Sequence, residues 1–516
     1  MFSEILTKHW DAIVIGSGLG GGSVGRQLAE QGASVLFIER GPANPAQISA
    51  QDDPSSDFER GLWQVPVDGT IDGRLQKFHD AFGAGVGGSS TFYAATLERP
   101  ERSDLDDSPA RPHPTGGWPV GYDAYSPYFA EAEKRFFVCG EQDPLSHDLG
   151  TLLRPPELPA GDMALIEDFR RHGLHPYRNH MGVRYVPGCT NCLGRACGRN
   201  CKMEGRSAGV EPALATGRSA LLANCAAIAL RGSNNTISHL DVELGGVRHA
   251  LRAKTYILAA GGFGSPRLLL ASRSDQWPDG LANASGLVGR NLMFHLLESV
   301  VIWPERRTRI SAPSKAITLR DLYWHEGMRL GALQSAGLDA LYGEVSYALS
   351  THLTGSALGR LANTLKLNSA LARVIYRRRG TGKVFRAIIE DLPYEHNRVV
   401  FDPDNPERLQ FSYNFSDELR ERHRAFRQLL RQRLSGQRTM FLKPKPELDI
   451  THACGTLRFG DNPRTSVLNA DCRAHDVENL YVADASFFPT SAGINPGLLI
   501  AANAIRVADR VLAAMR

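Results

Sequence analysis

The stretch Asp11-Ala12-Ile13-Val14-Ile15-Gly16-Ser17-Gly18-Leu19-Gly20-Gly21, answered further on by Val35-Leu36-Phe37-Ile38-Glu39, decides the fold of this chain. An apolar run of strand character ends at Gly16, where the chain must turn tightly. Gly18 has no side chain, so a phosphate can reach the backbone, and Gly21 lets the following helix pack close to the strand. The start of that helix offers free N–H groups and the positive end of a dipole. Glu39 closes the second apolar run, where a carboxylate accepts hydrogen bonds from a ribose. A glycine-rich turn alone says little. With strands on both sides and the acid in place, it reads as a βαβ unit that binds a dinucleotide.

The rest of the chain sets limits on what that unit serves. At 516 residues it is longer than a single core usually supports, so two domains are expected. Hydrophobic residues make up 42 % and there are 51 glycines, which suits an α/β enzyme. A net charge of +4 is too small at this length for a nucleic-acid binder. No apolar run is long enough to cross a membrane. The opening Met1-Phe2-Ser3-Glu4-Ile5-Leu6-Thr7-Lys8-His9-Trp10 lacks the apolar core of a signal peptide, and a cytoplasmic protein is the expectation, with export alongside a partner left open.

Along the chain, a polar stretch over 43–58 reads as loop, and a second glycine cluster follows at Gly83-Ala84-Gly85-Val86-Gly87-Gly88-Ser89-Ser90. Its glycines let backbone lie against a flat cofactor, and its serines supply donors. Alternating strand patterns over 237–244 and 250–258 lead to Ser265-Pro266, which reads as an N-cap with proline in the first turn. Near the end, Asn479-Leu480-Tyr481-Val482-Ala483-Asp484-Ala485-Ser486 is an apolar strand with a polar stop, followed by Asn495-Pro496 and a final helix. Eight cysteines are present, and Cys189, Cys192, Cys197 and Cys201 crowd one glycine-rich segment. A disulfide framework would spread them more widely.

In order and spacing these pieces resemble the glucose-methanol-choline (GMC) oxidoreductases. The resemblance rests on the N-terminal fingerprint, Gly85–Ser90, Gly117-Trp118-Pro119, Gly261-Gly262-Phe263-Gly264-Ser265-Pro266-Arg267 and Val288-Gly289-Arg290-Asn291-Leu292 with His295. It extends through His452-Ala453-Cys454-Gly455-Thr456 to Asn479–Pro496. It implies an α/β fold: a Rossmann-like FAD-binding domain with a discontinuous α+β substrate domain, as in p-hydroxybenzoate hydroxylase. FAD-binding segments are then expected at 1–96, 206–298 and 446–516. The cysteine-bearing insertion falls at 97–205 and the substrate domain at 299–445. The implied reaction is FAD-dependent oxidation of a primary or secondary alcohol on a sugar, amino sugar or polyol, as a dehydrogenase. An oxygen-using oxidase and a non-redox enzyme of the hydroxynitrile-lyase kind are the alternatives.

The resemblance also places roles on residues. His452 would be the base that takes the alcohol proton, a task suited to an imidazole titrating near neutrality. Asn495 would hold the same oxygen from the other side. FAD would be bound by Gly16, Gly18, Gly21, Glu39, Gly88, Ser89, Asp484, Ala485 and Pro496, with Phe92-Tyr93 standing where many members carry an asparagine. The spacing of Cys189, Cys192, Cys197 and Cys201 is similar to the iron–sulfur branch of the family. A zinc site, and cysteines left unliganded or disulfide-paired, are the other readings. A cluster would imply a protein or quinone electron acceptor. Glu390, Asp391 and Glu395 fall where members often line the pocket, and a solvated loop of acids is the other reading. Finally, the basic, amphipathic stretch 357–379 reads either as a solvated helix face or as a peripheral membrane contact.

Overall fold

The computed structural model describes residues 2–43, 61–189, 191–306, 314–353 and 367–516. The polar stretch expected as loop lies outside these residues from 44 onward, and so does the first part of 357–379, through residue 366.

Strand β1 (His9–Ile15) turns into helix α1 (Leu19–Glu30) and returns as β2 (Val35–Ile38), parallel to β1 in the register Ile15↔Ile38. The chain then leaves and comes back as β3 (Ser219–Leu222), β4 (Cys225–Ser233), β5 (Thr236–Leu244) and β6 (Val247–Leu258). The sheet order is β3-β2-β1-β6-β5-β4, and Leu480–Val482 adds itself to β6. Strand β6 is used twice along its length. Its first half alternates buried and exposed positions and pairs antiparallel with β5. Its last residues, Tyr256-Ile257-Leu258, are apolar and buried throughout, as a parallel strand covered on both faces must be. The final helix, Gly497–Met515, lies along α1, and its Leu498 and Val507 share one core with Val14, Leu28, Phe37 and Ile257.

Helix α2 (Gly261–Ala271) begins ahead of the expected Ser265-Pro266 cap, and Pro266 sits inside it. The Ser265 hydroxyl is engaged at long range instead, donating to Asp484.

A second, antiparallel sheet is built from β7 (Met293–Trp303), β8 (Ile317–Leu319), β9 (Leu333–Ala340), β10 (Gly382–Ile389), β11 (Arg438–Phe441) and β12 (Glu447–Cys454). Its order is β11-β7-β10-β9-β8, continued by Tyr177–Arg178, with β12 also on β7. The expected boundaries at 298 and 445 therefore cut this sheet: β7 runs through 298, and β12 belongs here by pairing. Side chains of a strand alternate between faces. On β10, Phe385, Ala387 and Ile389 face a core shared with helices Ala160–Arg171 and Asp417–Arg433, while Arg386 and Ile388 line a cavity on the other side. The second of those helices is well terminated. Ser416 Oγ accepts from Leu419 N at 3.1 Å, acids fill the first turn and arginines the last. A small sheet of Arg398–Val400, Leu409–Tyr413, Val67–Ile71 and Arg74–Phe78 packs beside it.

Among the described residues no helix is long and apolar enough to cross a membrane. The described end of 357–379 is helix Leu367–Arg379, with Leu367, Leu371 and Val374 exposed and three arginines at its end.

Candidate active site

A cavity of about 1200 Å³ lies between the two sheets. That exceeds the ~300–1,000 Å³ of ordinary small-ligand sites and leaves room for a dinucleotide with a substrate. One wall is the turn between β1 and α1. Gly16 has φ +104°, and a Cβ on it would stand 2.3 Å from the Ala259 carbonyl oxygen. A Cβ on Gly21 would stand 2.0 Å from the Gly16 carbonyl oxygen, so this glycine sets the approach of helix to strand, and it does not line the cavity. Gly18 differs. It is the N-cap of α1 with no side-chain cap, and a Cβ there would meet nothing nearer than 3.8 Å. The first turn of α1 thus faces open space, which suits a pyrophosphate.

The other residues expected to hold FAD come to the same cavity. Glu39 lines it with both carboxylate oxygens engaged: Oε1 accepts from Gly41 N at 3.0 Å and Gly85 N at 3.1 Å, and Oε2 from Ser17 N at 3.3 Å and Ser17 Oγ at 2.5 Å. It fastens the two glycine-rich turns to each other. Gly88, Ser89, Ala485 and Pro496 are lining residues, and Ser89 Oγ accepts from Gly83 N at 3.0 Å. Phe92 stacks on Trp63 with centroids 4.1 Å apart, and both line the cavity. Asp484 is buried and receives Gly261 N at 2.9 Å, Ser265 Oγ, Ser486 N at 2.9 Å and Ser486 Oγ at 2.5 Å. Burial raises its carboxyl, and these donors pull it back down. It clamps the last strand to the start of α2. The donor set and the open helix start fit FAD.

Facing this cradle is His452, on β12. Its Nδ1 lies 2.9 Å from Nδ1 of His295 on β7, a buried residue. Nε2 of His295 lies 2.8 Å from the Ala492 carbonyl oxygen and 3.1 Å from that of Ser491. Carbonyls only accept, so Nε2 of His295 carries the hydrogen. A neutral imidazole has one N–H, so its Nδ1 accepts, and Nδ1–H of His452 is the donor. Nε2 of His452 is thereby left with its lone pair, on a ring that lines the cavity. Burial drives His295 well below its ordinary pKa, with His452 opposing a second charge beside it, so the pair is neutral. Burial also lowers His452; Asp449, 3.4 Å from its Nδ1, works the other way, and Lys315 and Arg386 add to the lowering.

Asn495 lines the cavity with its amide oxygen buried and without a hydrogen-bond partner among the described residues. Trp118 holds the approach to it, donating to Thr490 Oγ1 at 3.1 Å and packing among Phe459, Phe487 and Phe488. The structure thus brings His452 and Asn495 to one cavity with every expected FAD residue but Gly21.

Three expected pocket acids are not there. Arg329 pairs with Glu390 at 3.1 Å, Asp391 accepts from Phe294 N and Tyr413 Oη, and Glu395 is exposed. None lines the cavity. Its substrate side carries Lys315, Gln334 and Arg386 instead, which the sequence reading missed as site residues. The one available signal was the run over 345–389, which contains arginines and lysines and no acid.

Of the four crowded cysteines, Cys189 and Cys192 line the cavity. Sγ of Cys201 lies 3.6 Å from Sγ of Cys189 and 3.4 Å from Sγ of Cys197. Lys202 is buried behind them, its ammonium donating to the carbonyls of Thr91, Tyr93, Cys192 and Arg195. Among the described residues no group of three or more His, Cys, Asp or Glu side chains stands as a metal site.

Comparison with known proteins places this architecture. The family described as GMC oxidoreductase matches over residues 11–297 and 393–504. Paromamine 6'-oxidase of Streptomyces fradiae is 27 % identical, over 98 % of this chain and 91 % of its own. 2-Methyl-1,2-propanediol dehydrogenase of Mycolicibacterium austroafricanum is also 27 % identical, over 97 % and 95 %. The fructose dehydrogenase large subunit of Gluconobacter japonicus is 24 % identical, over 99 % of each. Among solved structures, pyridoxine 4-oxidase from Mesorbium loti superposes with a TM-score of 0.67 at 19 % identity, covering 97 % of this chain and 99 % of that one. Formate oxidase gives 0.68 at 16 %, covering 98 % of each. These two show a shared fold.

Proposed function

The chain belongs to the GMC oxidoreductase family and acts on CH–OH donors; on that premise we propose that His452 and Asn495 are its catalytic pair. The carrying observation is the hydrogen-bond chain from Ala492 through His295 to His452, which leaves the outer imidazole nitrogen as an acceptor. When bound, FAD supplies the acceptor for the electron pair and hydrogen of the alcohol carbon. The rest is done by this chain. Nε2 of His452 takes the hydroxyl proton, and His295 holds the ring so that this nitrogen, not Nδ1, faces the substrate. The Asn495 amide fixes the same oxygen without competing for its proton. Gly16, Gly18, Glu39, Gly88, Ser89, Asp484, Ala485 and Pro496 form the cofactor cradle, with the open first turn of α1 for the pyrophosphate. Relatives named for an aminoglycoside, a sugar and a diol support a hydroxyl-rich substrate.

The test is the holoenzyme carrying His452→Ala. It should retain FAD and lose anaerobic flavin bleaching by alcohols, with kcat down ~10²–10⁴-fold. Full turnover in that variant would remove His452 from the mechanism. Oxygen uptake compared with quinone and ferricyanide reduction identifies the acceptor. Iron and acid-labile sulfide assayed on the same sample decide whether the four cysteines add a second centre. The exposed Leu367, Leu371 and Val374 beside Arg377, Arg378 and Arg379 support peripheral contact with an anionic membrane, read by co-sedimentation with phosphatidylserine vesicles.

A further inference from the structure

The substrate side of the cavity is built for a negative charge. Arg386 is the exposed position in an otherwise buried strand β10, and it lines the cavity. Directly opposite it across the ladder stands Gln334 on β9. Gln334 is 1 % exposed, lines the same cavity, and among the described residues has neither its amide oxygen nor its amide nitrogen hydrogen-bonded. Lys315 reaches the cavity from the segment leading into β8. Neither cation forms an ion pair or side-chain hydrogen bond among the described residues, unlike the buried Arg99, Arg320 and Arg329, which all have carboxylate partners.

Lys315 is partly buried and Arg386 exposed, and two like charges set near each other favour an anion between them. Burial, with Arg386 adding repulsion, brings the Lys315 ammonium down to about 8. Two carboxylates of the protein act on Lys315, Glu98 and Asp449. Glu98 is taken up by Arg320, Tyr177 Oη and His180 N, while Asp449 Oδ1 accepts from Thr451 N at 3.2 Å and Thr451 Oγ1 at 2.5 Å and its Oδ2 lies 3.4 Å from His452 Nδ1. The cofactor's phosphates do not call for these cations either. On the proposed reading those phosphates would be met by the open first turn of α1, on the opposite sheet.

Resting on the alcohol-oxidising reading of this same cavity, we propose that the substrate is an anionic polyol. A carboxylate carried on the molecule docks between Lys315 and Arg386. Gln334 and Asn495 take its hydroxyls, and the reacting carbon is presented to His452. Gln334 offers both a donor and an acceptor, which suits a row of hydroxyl groups.

The test uses matched pairs on the holoenzyme: D-gluconate against D-glucitol, and glycerate against glycerol. Under anaerobic conditions the acids should half-reduce the flavin at concentrations ~10-fold or more below their neutral partners. Glutarate, which has no hydroxyl to oxidise, reads the carboxylate grip alone through a flavin difference spectrum. Arg386→Gln and Lys315→Met should each weaken glutarate ~10-fold or more at unchanged FAD content, while Arg386→Lys keeps most of the affinity. Equal use of acid and neutral partners by the wild-type enzyme overturns the proposal, as does glutarate binding that ignores both substitutions. Glutarate binding lost in the variants, with no alcohol bleaching the flavin, upholds the anion site and rejects the oxidation reading. Bleaching by alcohols with no response to glutarate does the reverse.

Discussion

The rings of His295 and His452 meet edge to face, their Nδ1 atoms 2.9 Å apart, although one residue belongs to β7 and the other to β12. The orientation of the proposed base is thus fixed from behind by a buried residue that does not line the cavity. His295→Phe should retain FAD and lower kcat/KM by ~10–100-fold, the usual cost of removing an orienting partner. His295→Gln, whose amide oxygen can accept from Nδ1–H, should recover part of the loss. A purely structural His295 would give equal losses in both variants and an unaltered pH profile.

The acid limb of kcat/KM should lie below the ~6.5 of an ordinary histidine. Burial, Lys315 and Arg386 all disfavour the imidazolium of His452, so the neutral, proton-accepting form persists to lower pH. Protonation on further acidification then abolishes activity. Arg386→Gln removes part of the repulsion and should move that limb upward. A profile in wild type with its limb above pH 6.5 would contradict the electrostatic picture.

Asp484→Ala should lose FAD and thermal stability together. The carboxylate satisfies donors from α2 and from Ser486, and its removal takes that acceptor from the Gly261 and Ser486 amides and from two hydroxyls. FAD content of the purified variant and the midpoint of its melting curve are the readouts. Normal FAD content would show that the clamp is dispensable.

Glu133→Ala should destabilise by about 3–5 kcal/mol, because it strands a buried guanidinium. Arg99 donates to its two oxygens at 2.6 and 2.7 Å, and Thr151 N adds a third bond at 2.6 Å. Chemical denaturation measures the change. The pair lies outside the cavity lining, so flavin reduction in the folded fraction should be unaffected.

What was legible in the sequence was what is local in the chain. The β1–α1 turn could be read because its glycines act within a few residues of one another, and their packing distances bear the reading out. Ser265-Pro266 misled because a serine before proline looks like a cap whether or not its hydroxyl is committed to a distant aspartate. Glu390 and Asp391 misled in a similar way. They follow β10 directly, but Arg329 takes the first, and the second turns to the Phe294 amide and the Tyr413 hydroxyl. Arg386 was visible only as one more charge in a basic run. Its meaning depends on strand parity and on Gln334 across the ladder, and neither appears until the sheet is assembled. His295 was quoted as part of a motif, yet its role required a partner on another strand.

The sheet that carries the dinucleotide cradle begins with the first residues of the chain and takes its last strand from Leu480–Val482, just before the closing helix. On the ribosome, β1 therefore emerges long before β6, and Asp484, Asn495 and Pro496 later still. On the proposed reading a nascent chain can make the first turn of the cradle and closes it only once residues past 480 are made, so cofactor uptake has to wait for them.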